Sequence, residues 1–197
     1  MIRQSSALAN RSQSSFFSYE KNMEIIIKKL FVDNPVYGDA IKRLLIINNA
    51  DCLTNNNAKY DELVKQYSVK RLKDEGYIRT VPRLDLKEHE SIKSYIVINM
   101  DDFVPSSNNE YRNCTITFFV FSEYEHSEMD DYGYRPVRIA GYIDGIMNNA
   151  KLANIGKLQF IGSQNVPLNE YWGGIMLMYL ATYGEEEDKN PNMPNAR

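Results

Sequence analysis

Two runs that alternate apolar and polar residues, Ser94–Met100 and Cys114–Glu123, precede a segment of helical period, Arg135–Asn149. Two further strand-like runs follow it, Lys157–Val166 and Tyr171–Thr182. A period of two places successive side chains on opposite faces of a strand, whereas a period near 3.6 lines up one helical stripe. The order therefore predicts an α+β module, β-hairpin–α–β-hairpin, in which a central helix packs on an antiparallel four-stranded sheet. Within the second run Cys114, Ile116, Phe118 and Val120 point one way and Thr115, Thr117, Phe119 and Phe121 the other. Aromatic residues on both faces near its end predict that part of the second face is covered too.

Upstream the pattern is helical. Met23, Ile26, Ile27, Leu30 and Phe31 share one face of a helix predicted over Tyr19–Phe31, which Asn34-Pro35 ends. A second short helix carries Ile41, Leu44 and Leu45 and fades at Asn48-Asn49. A third, Ala58–Glu75, groups Tyr60, Leu63, Val64 and Tyr67, but its phase slips after Tyr67, predicting a kink or two short helices. Gly76 is a helix stop, and Tyr77–Val81 is a candidate extra edge strand ended by Pro82. The stretch Asp101–Asn113 is too long for a tight hairpin turn and is expected to project. By composition the chain divides into a flexible Ser-rich arm over 1–18, a helical region over 19–76, the α+β module over 77–183 and a disordered acidic tail over 184–197.

The central helix has an unusual back. Ile139, Ile143, Ile146, Met147 and Ala150 form the stripe that faces the sheet, and by the same arithmetic Gly141 and Gly145 point away from it. Glycine inside a helix costs about 0.5–1 kcal/mol against alanine. Two glycines on an outward face are either drift on a tolerant surface or the place where another subunit comes close. Gly173-Gly174 in the last run reads as a bulge or a close backbone contact.

At 197 residues, with 23 basic and 26 acidic side chains, the chain is long enough for a real core and is mildly acidic, without the basic excess of a tight duplex binder. Its two cysteines, Cys52 and Cys114, are too few for a disulfide framework, and Cys114 reads as a small buried hydrophobe. No signal peptide or membrane-spanning run is apparent. The expected setting is a cytoplasm, with no membrane partner and no cofactor.

Three stretches carry chemistry-bearing side chains. The loop Glu123–Tyr134, with Glu123, Glu125, Glu128, Asp130 and Asp131 around His126, lacks the ligand spacing of a calcium loop and reads as a solvated acidic loop. Asp101, Asp102, Glu123 and Glu125 at strand ends suggest a magnesium-dependent nuclease, but the restriction-type strand needs a lysine where Glu123-Tyr124-Glu125 has a carboxylate. The segment Lys59–Val81 is similar to the end of a winged-helix domain, with Lys65, Lys70, Arg71, Lys73 and Arg79 supplying charge that Asp61, Glu62, Asp74 and Glu75 offset. DNA binding is thus the alternative reading and a metal-dependent nuclease the third. No nucleophile elbow or phosphate loop occurs, so no catalytic or metal-ligating residue is assigned.

From Tyr111 to Tyr183 the chain resembles the tail-terminator and tail-completion proteins at the neck of tailed bacteriophages. The resemblance lies in CTITFFVFSE, the acidic aromatic loop, RPVRIAGYIDGIMNNAKL, IGKLQFIGSQNV and YWGGIMLMYLATYG. It implies a structural virion protein forming a homo-oligomeric ring of about six or twelve copies in the head-to-tail connector or tail. Portal, ring or tail proteins would be its neighbours, and genomic DNA would be met only in transit through the lumen. An acidic balance suits a channel that must not retain phosphates. The wealth of Asn, Lys, Ile and Tyr, as an AT-rich genome encodes, points to phages of the crAss-like group. The candidate subunit interface is Asp101, Asp102 and Phe103 in the hairpin, Glu125, Asp130 and Asp131 in the acidic loop, and the back of the Gly141/Gly145 helix. The arm and tail are candidates to order on adjacent rings.

Overall fold

In the computed structural model the described residues are 19–80, 92–105, 112–153 and 155–183. The arm, the acidic tail and Pro82, all named above, lie outside them. Helix α1 runs over residues 19–31 and buries the expected face, Met23, Ile26, Ile27, Leu30 and Phe31. Its C-terminal end is tied by Asn34, whose side-chain amide donates to the Lys29 carbonyl at 2.8 Å. Pro35 then opens α2 (Pro35–Ile46), a first-turn position at which no backbone donor is missed. The slip of phase after Tyr67 is a true break between α3 (Ala58–Gln66) and α4 (Val69–Asp74). Each is capped by its own side chain: Asn57 accepts from the Lys59 N–H, and Ser68 from the Arg71 N–H. Gly76, at φ 85°, ends the helical region as expected.

The sheet differs from the expected one. It has six strands, not four, and is mixed rather than antiparallel, in the order β1-β2-β3-β6-β5-β4, curved into a half-barrel. The four long strands are β2 (Ser94–Pro105), β3 (Arg112–Glu123), β5 (Gly156–Pro167) and β6 (Trp172–Tyr183), and they pair antiparallel. The correction comes from two short edge strands, β1 (Ile78–Arg79) and β4 (Lys151–Leu152). β1 pairs parallel with β2, because the chain leaves α4 and enters the sheet in the same direction as β2. The β2–β3 hairpin is also longer than expected. A bulge between Asp101 and Val104 lets pairing continue to Pro105 opposite Arg112, leaving only 106–111 outside the described residues.

Helix α5 (Arg135–Met147) crosses one face of the sheet. Ile139, Ile143, Ile146 and Met147 pack there with Ile96, Ile98, Ile116, Phe118, Val120, Leu177 and Tyr179, and the buried residues of α1 and α2 join the same cluster. On the other face Tyr95, Phe121 and Trp172 form an aromatic group, with Arg79 over the Tyr95 ring at 4.6 Å. Farther along that face Phe119, Met176, Met178 and Leu180 are half-buried.

Three core tyrosines make the fold sensitive to alkali. Burial raises Tyr77 and Tyr95 to about 12. Tyr179 is raised by burial and by its hydrogen bond to Asp144, at 2.8 Å. A folded pKa above the unfolded value near 10 means that the unfolded chain binds fewer protons above that pH, so stability is full below about pH 10 and falls on the way to 12. Urea midpoints measured across this window should drop steeply, and the Tyr95→Phe, Tyr179→Phe double variant should drop less.

Candidate assembly surface

The outward face of α5 is the floor of a groove of about 520 Å³, walled by Tyr37, Tyr134, Val137, Arg138 and Tyr142. Gly141 lies open in that floor, with nothing within 4 Å of where a Cβ would sit. Gly145 is different, because the Tyr37 ring edge comes to 3.4 Å of its would-be Cβ. Tyr37 arrives from α2 and packs on Tyr142 with ring centroids 5.5 Å apart. One of the two outward glycines thus admits an aromatic of the same chain, and the other remains bare. Gly141→Ala should raise unfolding free energy by about 0.5–1 kcal/mol, since it removes glycine's helical penalty without meeting anything; urea denaturation measures this directly.

A second groove of about 510 Å³ adjoins the first through Tyr134 and Val137 and continues to Asn165, Val166 and Pro167. Tyr37, Val137 and Tyr124 along this tract are each more than two-fifths exposed. The apolar exposure is thus gathered in one tract rather than scattered singly.

The loop between β3 and α5 is tied down rather than free in solvent. Asp130 accepts from the Thr54 hydroxyl, and its N–H donates to the Ala50 carbonyl. Asp131 pairs with Arg138 at 2.6 Å and accepts from the Gly133 N–H. Glu123 pairs with Lys93 at 2.7 Å. Glu125 stays exposed in the short 3-10 turn Tyr124–His126. Of the candidate interface residues, Asp131, Gly141 and Gly145 are therefore neighbours at the first groove, while Asp130 holds the α2–α3 connection. Asp101 sits on β2 and accepts from Asn99 at 2.7 Å. The backbones of Asp102 and Phe103 belong to β2; their side chains lie outside the described residues.

The carboxylates that suggest a nuclease do not converge. Asp101 is opposite Thr115, while Glu123 lies eight residues farther along β3, about 26 Å away at the rise of a strand. No group of three or more His, Cys, Asp or Glu among the described residues is placed to hold a metal ion. In the segment likened to a winged helix, β1 joins the large sheet in parallel instead of forming the antiparallel hairpin of a wing. Arg71 there is paired with Glu75 at 2.6 Å and stacked over Tyr67, and Arg79 lies on the Tyr95 ring.

Two features were not foreseen from the sequence. One is Arg135, which is fully buried and reaches from the start of α5 to the end of α2. The other is the outer edge of β5. β4 pairs only with its first two residues, and Leu158 still exchanges hydrogen bonds with Asn149 and Ala150. Beyond Leu158 the edge has no strand partner among the described residues. From Leu158 to Pro167 the strand carries no charge, and Phe160 and Ile161 are 39% and 51% exposed. Native edge strands are usually blunted by charge, by proline or by brevity; here only a bulge between Phe160 and Gly162 and the terminal Pro167 do so.

No helix among the described residues is long and apolar enough to cross a membrane. No curated protein matches the chain. Among solved structures, a chain of "Virion of native gene transfer agent (GTA) particle" is similar over 63% of this chain and 90% of that one, at 13% identity and a TM-score of 0.38. The model of the YomW family matches residues 39–181, from within α2 to near the end of β6 and thus across α5, the second groove and the open edge. The chain belongs to the YomW family, which is phage-derived.

Proposed function

We infer that the protein is a structural protein of a phage virion that closes into a homo-oligomeric ring at the head-to-tail connector or tail, as a tail-completion component with no catalytic role. The observation that carries this reading is the uncharged, open edge of β5, which in a phage-derived chain is an assembly contact rather than a defect. An edge that takes a different segment of the next copy makes a head-to-tail contact, and such contacts close into rings when the rotation between copies allows it. The grooves on the back of α5 supply a second surface, and a net charge of −3 leaves the protein without strong attraction for passing DNA.

Light scattering on the purified protein, with negative-stain images of the same fraction and of disrupted virions, tests the reading. Closed rings in either preparation are expected. A monomer in solution together with its absence from virions would remove it. Gly141→Leu probes the groove: the bare floor accommodates the side chain in the monomer, so the melting curve should hold while ring formation is lost. Gly145→Leu is the poorer probe, since it would displace Tyr37 within the same chain.

A further inference from the structure

We propose that the open edge of β5 is filled by a strand from the next copy, formed by that copy's residues 1–18; the proposal rests on the ring reading above. The edge asks for main-chain partners. Leu158 turns its N–H and C=O away from β6, toward Ala150 and Asn149. By the alternation of an antiparallel ladder, and allowing for the bulge, Phe160, Ser163 and Asn165 do the same. These outward groups find no partner among the described residues. An added strand would satisfy them while its side chains met Phe160 and Ile161.

The geometry points to the N-terminal arm as the occupant. Helix α1 begins at Tyr19, whose hydroxyl lies close to the backbone of Met100 and to Asp101 on β2. The Ile96 N–H points to the outer side of β2, toward Tyr77, so Met100 four residues on also turns its backbone groups outward. The arm therefore enters at the β2 edge of the sheet, while the vacancy lies at the β5 edge, three strand spacings or about 14 Å away. In a head-to-tail ring these two edges belong to opposite sides of each subunit and face one another across the contact. Eighteen residues reach about 60 Å when extended, ample for nine to pair along Gln159–Pro167 and the rest to cross.

Composition separates the two ends of the chain. Residues 1–18 contain no proline, glycine, aspartate or glutamate and include Ile2, Leu8, Phe16 and Phe17. Residues 184–197 carry Glu185–Glu187, Asp188, Pro191 and Pro194, which suit neither an uncharged edge nor a continuous ladder.

Disulfide trapping in the full-length protein decides the matter, because Cys52 and Cys114 are buried and leave a quiet background. Ser163→Cys is combined in turn with Ser5→Cys, Ser12→Cys and Ser14→Cys, and the size-separated oligomer is oxidised and run under denaturing, non-reducing conditions. At least one pair should give a ladder of covalent multimers up to the ring, and adding Asn165→Pro, which deletes one outward donor, should abolish it. A closed monomer would place the arm on its own sheet. Dimers from Ser163→Cys alone would place β5 against β5. Either result, or an oligomer that yields no disulfide with any pair, overturns the proposal and leaves the ring standing. Absence of any oligomer from solution and virions overturns both.

Discussion

Replacing Arg135 by methionine or alanine is expected to lower unfolding free energy by about 4 kcal/mol or more, a size few single substitutions reach. The side chain is fully buried, and none of its partners is a carboxylate. Nε donates to the His126 carbonyl at 2.7 Å. Nη1 donates to Leu44 at 2.8 Å and Ile47 at 2.7 Å, and Nη2 to Asn48 at 3.0 Å and Asn49 at 2.8 Å. Cys52 Sγ is a weaker sixth partner at 3.7 Å. The last carbonyls of a helix have no partner of their own and form the negative end of its dipole. A guanidinium, with five fixed donors, answers that need at the end of α2, although Arg135 itself stands at the positive end of α5. Burial pushes its pKa down, yet an arginine remains charged.

Truncation strands the Leu44 and Ile47 carbonyls in the interior at about 1–3 kcal/mol each and loosens the part-buried bonds to His126, Asn48 and Asn49, less than additively. Arg135→Lys keeps the charge but offers three donors from one point, so roughly half the loss is expected. Urea unfolding should show a lower midpoint with an unchanged slope, and thermal melting a fall of about 10–15 °C. A loss under about 1 kcal/mol would mean that apolar packing alone holds the helical region on the sheet.

Nothing in the residue pattern announced this clamp. Four of its five carbonyl acceptors are 86 to 91 positions away in sequence, and carbonyls carry no residue identity. An arginine at the first position of a helix, against the dipole, was the one available hint. What periodicity does report is burial on one face, and it served well for α1, for the α5 stripe and for the four long strands. It fails where an element is too short to have a period. β1 and β4 have two residues each, and the parallel pairing that makes the sheet mixed resides in the first of them. Asp101-Asp102 and Pro105 read as a loop because polar residues and proline usually end strands, whereas a bulge absorbs them here. The nuclease cluster failed on elementary topology. The ends of two consecutive antiparallel strands lie at opposite ends of the pair, so Asp101 and Glu123 could not meet. The outward glycines of α5 were visible as a helical anomaly; that Tyr37 would cover Gly145 and leave Gly141 bare depends on how α2 crosses α5.

Gly174→Ala is expected to be the opposite of Gly141→Ala, costing about 3 kcal/mol or more and disrupting the fold in its centre. β3 and β6 are the middle strands of the sheet and pair without interruption from Arg112–Tyr183 to Glu123–Trp172. Phe121 stands opposite Gly174 in that register, so the glycine pair makes no bulge, and the close backbone contact is the correct half of the expectation. A Cβ on Gly174 would collide with the carbonyl oxygen of Val120 and crowd Phe121 Cα at 3.0 Å. Both obstacles are backbone atoms of a paired strand, so no rotamer change relieves them, and the two strands must part. At Gly173 the obstacle is only the Tyr124 ring, a side chain 42% exposed that can swing aside, and Gly173→Ala should cost clearly less. The three variants form a graded series set by what the new methyl meets: open space at Gly141, a movable ring at Gly173, fixed backbone at Gly174. Chemical denaturation of all three on one protein preparation tests the order. If Gly174→Ala unfolded within 1 kcal/mol of the parent, the close approach of β3 and β6 at this position would be wrong. The second groove, which Gly174 helps to line, would then need a different shape.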